Sequence, residues 1–554
     1  MKTKSTKYLL MAGLVGCGLS TGLTSCIEET FPESDTATAE QVSKSPSALE
    51  GTVNGISSQM VQGYLVYGEQ EHETDMGYPQ FMIANTEMLG DMYPGGSNSG
   101  YDWYRNYNTM QGNSDRSYLS FLPWRTLYMF VKTANSVIAN IDVTDETLSD
   151  QMRYYAGAAY ADRAFQYYNL MVYFEPVANK YTDCSSVMGL TVPIVTEKTT
   201  EDEAKNNPRA THEQMMQFIL SDLDIADQML EGNDLAAYSN ANRMVPCLAV
   251  SYGIRAKVLL WDGQYEKAAE YARKAINAMG SKAKVMTADE MEDPTSGFAS
   301  ATDGWMWYIH YSAESMGNLC NFTGWMSGEA AWGYSSLTCP MIDKSLYEGM
   351  GMNDVRRHLF LDPKRDDFYN YKTSRTKAYL DGKPDYLALK FRCLNGDYNT
   401  YSIGGAVDVP IMRVEEMLLI EAEAVGASQG VAAGVTLLNN FVKKNRDADY
   451  NCTYTDLRDF QLEVLRQMRI EGWGEGWAFP SAKRLKPGVM QNYKGTNAPS
   501  DIFKINCEGV KPNWTIVIPN SEVNANKAIE GKNNPDPTQA VVGPSPVGEY
   551  AAAK

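Results

Sequence analysis

An all-α body of helix pairs stacked side by side, interrupted by long irregular segments, is the architecture that this 554-residue chain predicts. Three observations carry the expectation. In LAVSYGIRAKVLLWDGQYEKAAEYARKAINAMG (248–280), Tyr265, Ala268, Ala269, Ala272, Ala275, Ile276 and Met279 recur at helical spacing, with Glu and Lys on the opposite face. A second hairpin of helical text, 411–425 and 431–444, spans GASQG. Strand-like text is scarce: 514–518 is its best case, and the alternating Trp305, Trp307, Ile309 and Tyr311 suggest one short strand that reads as core.

Taken in order, the elements begin with a signal. Lys2, Lys4 and Lys7 precede an uncharged apolar run to Leu23, too short and Gly-rich for a membrane span. Leu23-Thr24-Ser25-Cys26 resembles the lipobox of bacterial lipoproteins, with cleavage before Cys26 and diacylglycerol on its thiol. Leu14-Val15-Gly16-Cys17 fits the same pattern, but cleavage there leaves a short apolar core, and polar sequence starts only after Cys26. Residues 1–25 therefore read as signal peptide, 26–47 as a flexible tether, 48–534 as the helical domain and 535–554, rich in Pro and Gly, as a loose tail. Glu28 and Glu29 resemble an acidic surface-export signal; solvated linker is the equal alternative.

Within the domain, Tyr154, Ala158, Ala161, Phe165, Tyr168 and Val172 form an apolar stripe. Thr211 with Gln214 reads as a capping box opening a helix to Leu230. Helices 246–261 and 265–279, joined at Asp262-Gly263-Gln264 with Ala where they touch, resemble a tetratricopeptide repeat, and Glu270 with Lys274 is spaced for an i,i+4 pair. The helix 411–425 is apolar on more than one face, which predicts that it is sandwiched. Segments 76–121 and 282–338 read as irregular.

Without the three signal lysines, 46 basic residues face 68 acidic ones, a charge of −22. That argues against nucleic acid and against docking on anionic lipid. Seven cysteines remain beyond Cys17 and Cys26, without CxxC spacing; Cys247 reads as a buried hydrophobe, and one disulfide, such as Cys320 with Cys339, stays open.

Five segments, in order, together resemble the SusD/RagB family of outer-membrane nutrient-binding lipoproteins: AAYADRAFQYYNLMVYFEPV (158–177), the 242–276 hairpin, VPIMRVEEMLLIEAEA (409–424), RIEGWGEGWAFPSAKRLK (469–486) and IPNSEVNANKAIEGKNN (518–534). Pro480 and Ser481 depart from the family's aromatic and Asp. The resemblance implies four tetratricopeptide-like helix pairs carrying ligand loops. It also implies a lid on a SusC-like TonB-dependent transporter, into which polymer fragments pass.

The ligand candidates lie in two loops. MYPGGSNSGYDWYRNYN (92–108) crowds Tyr101, Trp103, Tyr104 and Tyr107 beside Asn106; flat rings pack on sugar faces while amides bond hydroxyls. Trp103 and Asn106 reproduce the Trp/Asn spacing of starch-binding relatives, and the alternative is that Trp103 anchors the loop. In 321–334, Trp325, Trp332 and Tyr334 sit among Gly and Ser. No metal or cofactor motif stands out. Among four histidines (His72, His212, His310, His358), HEQMM lacks the second His of HExxH, Glu71 to Asp75 reads as an acidic loop, and no GxSxG or phosphate loop is present. Asn353-Asp354-Val355-Arg356 reads as a structural ion pair.

The resulting expectation is a lipid-anchored outer-membrane protein, facing the exterior, that binds oligosaccharide and does no chemistry. A peptide or glycoprotein-glycan binder is the alternative. A secreted glycoside hydrolase and a repeat scaffold rank lower.

Overall fold

Helical periodicity in the sequence becomes a stack of long helices in the computed structural model, which describes residues 46–63, 74–96, 99–239, 243–314, 321–365 and 372–540. Cys26, the tether up to residue 45, the acidic loop around His72, Cys320 and the tail beyond residue 540 lie outside them. Helices of eight residues or more are α1 (Pro46–Met60), α2 (Pro79–Leu89), α3 (Tyr118–Ile138), α4 (Asp150–Phe174), α5 (His212–Leu230), α6 (Leu248–Trp261), α7 (Tyr265–Ala278), α8 (Val414–Gln429), α9 (Val431–Asn445), α10 (Leu457–Glu471) and α11 (Ala478–Leu485). Neighbouring helices in this order pack on one another: α3 on α4, α4 on α5, α6 on α7, α7 on α8 and α8 on α9. α8 also meets α10, so it is sandwiched as its all-round apolar text requires. The α6–α7 hairpin works through small residues: Ala268, Ala272 and Ala275 are fully buried and let the helices approach closely. Glu270 and Lys274 pair at 2.7 Å on the outer face. Thr211 and Gln214 close the capping box of α5.

Three short two-stranded ribbons complete the fold. β1 (Met92–Pro94) pairs with β3 (Pro340–Ile342), β2 (Trp305–His310) with β4 (Asp408–Arg413), and β5 (Val489–Met490) with β6 (Asn506–Cys507), all antiparallel. Trp305, Trp307 and Ile309 are core, as their alternation predicts.

Three local expectations are corrected. Residues 411–413 are strand, because β2 offers them a ladder; the helix begins only at Val414. Residues 514–518 are not a strand. Their polar backbone is met by Tyr173 O, which accepts from Ile516 N, and by the Asn533 and Asn534 side chains. The 76–121 segment contains α2, started by Pro79 at its first turn and stopped by Gly90 at φ 73°. Of the pair left open by the sequence, Cys320 lies outside the described residues and Cys339 is a free buried thiol.

Cations collect at the C-terminal end of α4, where the helix dipole favours them. Lys483 Nζ donates to Val172 O at 2.7 Å and Glu175 O at 2.8 Å, and Arg209 donates to Phe174 O at 3.0 Å. His212 bridges the Glu175 and Asp262 carboxylates, both at 2.8 Å, which commits the histidine of HEQMM to structure. Asp262 first, then Glu175, raise its pKa to about 10 against the opposing effect of burial. The folded state thus holds this proton more tightly than the unfolded chain, whose imidazole titrates near 6.5. The stabilisation is full below about pH 6.5 and is lost as pH rises through about 10. The expected result is that His212→Gln lowers the thermal midpoint at pH 6 and that the gap to the parent closes toward pH 10. A gap independent of pH contradicts the bridge.

Candidate functional site

The glycine-rich loop after β1 and the aromatic segment before β3 are joined by the β1–β3 ribbon. Gly95 N donates to Thr338 O at 2.7 Å and Gly96 N to the same oxygen at 2.9 Å, extending the seam. The approach is so close that a Cβ on Gly96 would lie 2.0 Å from Leu337 O, which is why glycine stands there. Asp102 then folds the loop back: its Oδ1 accepts from Tyr104 N at 3.1 Å and Arg105 N at 3.2 Å. Buried deep beside Glu87, the Asp102 carboxyl is pushed up to about 6, burial being the cause. In the second segment, Asn321 Oδ1 caps the short helix Phe322–Met326, which carries Trp325.

Four predicted residues from the two segments meet in one aromatic column. Tyr101 lies against Tyr334 (6.3 Å between centroids, 41°), Tyr334 stacks on Trp325 (4.5 Å, 11°), and Tyr104 meets Trp325 edge-on (5.0 Å, 85°). Only the outer end of the column reaches solvent. Tyr101 is 48 % exposed, Tyr334 is half-buried, and Trp325 and Tyr104 are buried. Trp103 is 37 % exposed; Tyr118 donates to its carbonyl at 2.6 Å, fixing the backbone while the indole stays at the surface. Asn106 is half-buried nearby in the loop and gives its carbonyl to Asn113.

Four predicted contacts, Tyr104, Tyr107, Trp325 and Trp332, are buried. Tyr104 donates to Thr74 O at 3.1 Å from within the core. Tyr107 is buried because of Pro123, which sits inside α3 and has no N–H for the Leu119 carbonyl; the Tyr107 hydroxyl bonds that carbonyl at 2.9 Å. Both rings support the loop rather than present a face. Trp332, also mostly buried, belongs to a neighbouring cluster, edge-on to exposed Tyr401 (6.4 Å, 66°).

Tyr401 and Tyr398, with Arg375 held between the rings of Tyr379 and Tyr398, were not among the sequence candidates. The signal was present in NGDYNTY (395–401), a Gly/Asn-rich stretch with two tyrosines of the same kind as 92–108. A groove of about 760 Å³ lies elsewhere, between α1, α3 and residues 195–199, and Tyr128 is the aromatic among its lining residues. Among the described residues no group of three His, Cys, Asp or Glu is set to hold a metal, and no helix is long and apolar enough to cross a membrane.

Such a face can stack apolar ring surfaces and offer amide and carbonyl partners at its edge. Residues 44–244 match a SusD-like family described as starch-binding and associating with the outer membrane. The chain is similar to SusD-like protein P2 of Formosa agariphila, 24 % identical over 507 residues that cover 88 % of this chain and 91 % of that protein. Among solved structures it is similar to a SusD-like carbohydrate-binding protein of Bacteroides vulgatus (TM-score 0.68, 20 % identity, 88 % of this chain and 98 % of that one). It is also similar to surface glycan-binding protein A of Bacteroides thetaiotaomicron in complex with laminarihexaose (TM-score 0.59, 16 % identity, 88 % and 99 %).

Proposed function

We propose that this chain, SusD-like in its fold and in its family-matched segment, is a surface glycan-binding lipoprotein that passes oligosaccharides to a SusC-like TonB-dependent transporter. The observation that carries the reading is the two-loop aromatic column, with Tyr101 and Tyr334 toward its open end, its foot locked into the helical body, and Trp103 exposed two residues along the same loop. An open face of this type binds by stacking and hydrogen bonds along a chain of sugars, so affinity is modest and extended polymers suit it better than monosaccharides. Cys26 is the proposed lipid-bearing residue. Its chains tether the domain to the outer leaflet, with about 0.8 kcal/mol from each buried methylene.

Catalysis has no part in this reading. Asp102, the carboxylate inside the candidate loop, is occupied as a backbone cap, and His212, His310 and His358 each pair with a carboxylate. Affinity electrophoresis of the mature protein tests the proposal. Retardation by at least one polysaccharide of a panel including laminarin is expected, with no mobility change from peptide mixtures. Retardation by peptides alone would favour the peptide-binding alternative.

A further inference from the structure

Beside the aromatic column lies a cationic patch that the column does not explain. Tyr379 donates to Gly328 O at 2.9 Å, and Tyr398 O accepts from Ala331 N at 2.8 Å, so both tyrosines are fastened to the chain that runs from Trp325 to Tyr334. The Arg375 guanidinium is clamped between them, its Cζ 3.5 Å from the Tyr379 ring centroid and 3.8 Å from that of Tyr398. Lys383 Nζ also lies over the Tyr379 ring, at 4.7 Å.

Neither cation has a carboxylate partner among the described residues. The acids of these segments pair with other cations: Glu329 through Oε1 with Arg392 at 3.2 Å, Asp381 with Lys377 at 2.7 Å and Asp385 with Arg365 at 2.7 Å. Arg375 Nη1 is buried without a hydrogen-bond partner, and so is the indole N–H of Trp332. Lys383 Nζ is also 3.7 Å from Cys339 Sγ, a neutral partner. A chain with a formal charge of −19 has acids to spare, so two cations on one tyrosine with no carboxylate between them are conspicuous. A guanidinium fixed between two rings has already lost its rotamer freedom. It therefore meets an oxyanion at little further entropic cost.

We infer that Arg375 and Lys383 form an oxyanion subsite at one end of the glycan face, and that the preferred ligand is an oligosaccharide bearing carboxylate or sulfate groups. The inference rests on the glycan-binding reading above and specifies its substrate class. The acidity of the rest of the chain does not oppose it: at physiological ionic strength, charges more than about 8 Å away are largely screened, and the two cations are the local field.

The test is isothermal titration of the mature protein with three probes: neutral laminarihexaose, an oligogalacturonide hexamer and a chondroitin sulfate hexasaccharide. At least one anionic probe is expected to bind roughly tenfold more tightly than the neutral one, as for a charge-assisted hydrogen bond, with affinity falling as salt rises. Which of the two does so distinguishes carboxylate from sulfate. Arg375→Met, which keeps an apolar stem between the tyrosines, is expected to abolish that preference while leaving laminarihexaose binding and the thermal midpoint in place. Binding of laminarihexaose with no preference for either anion overturns the subsite and leaves the glycan reading standing. An anion preference that survives Arg375→Met and Lys383→Met together overturns the assignment to these residues. Binding of none of the three probes, together with no retardation by any polysaccharide, removes the glycan reading and the subsite with it.

Discussion

Glu471→Ala is expected to destabilise the protein by about 3–5 kcal/mol, the cost of stranding buried charges. Glu471 stands at the end of α10 and is almost fully buried. Its Oε2 accepts from Arg446 Nε at 2.8 Å and its Oε1 from Arg446 Nη2 at 2.9 Å; Arg413 reaches it at 3.3 Å and Arg356 at 3.4 Å. Around it, Glu475 pairs with Lys390 and Arg413, Glu415 with Arg413 and Arg446, and Asp354 with Arg356. Four cations and four carboxylates balance there. Burial alone would push the Glu471 carboxyl up, but Arg446, Arg413 and Arg356 hold it well below the usual carboxylate range. Removing it leaves three buried guanidiniums short of a counter-charge. The denaturation midpoint of Glu471→Ala should fall well below that of the parent. Lys274→Ala, which breaks the exposed pair with Glu270, should shift it by no more than about 0.5 kcal/mol. Equal effects of the two substitutions would contradict the network.

That network also marks the limit of what the sequence made legible. The hairpins α6–α7 and α8–α9 were readable because a 3.6-residue period is a local signal. Asp354 with Arg356 was readable because the partners are two residues apart. The remaining members come from β4, α8, α10, the Gly-Trp segment, the residue that follows α9 and the irregular stretch around Lys390, and only the tertiary fold brings Arg413 and Glu475 to 2.8 Å. GWGEG therefore showed its glycines and tryptophan, and hid the work of Glu475. The binding loops divide in the same way. Aromatic crowding among glycines located both segments, and the fold joined Tyr101 to Tyr334 across more than two hundred residues. Which rings face solvent was not legible, because it depends on partners elsewhere: Tyr107 turns inward for a carbonyl that Pro123 leaves free, and Tyr104 for Thr74 O. The helical text runs back to Ile411 while α8 starts at Val414, because β2, the competitor for residues 411–413, lies a hundred residues upstream.

The central claim is that the open end of the column, rather than the groove between α1 and α3, meets the glycan. Tyr101 and Trp103 are exposed, so truncating them should cost little stability, within about 0.5 kcal/mol each. If they are the stacking surfaces, each loss removes an aromatic anchor of the size that dominates binding energy, about 2 kcal/mol or more. The measurement is isothermal titration of the Tyr101→Ala, Trp103→Ala double variant against the oligosaccharide of whichever polysaccharide retards the parent most in the gel. Affinity at least about a hundredfold weaker, at an unchanged thermal midpoint, is the predicted result. Parent-like affinity in the folded double variant would contradict the claim and move the ligand away from this face.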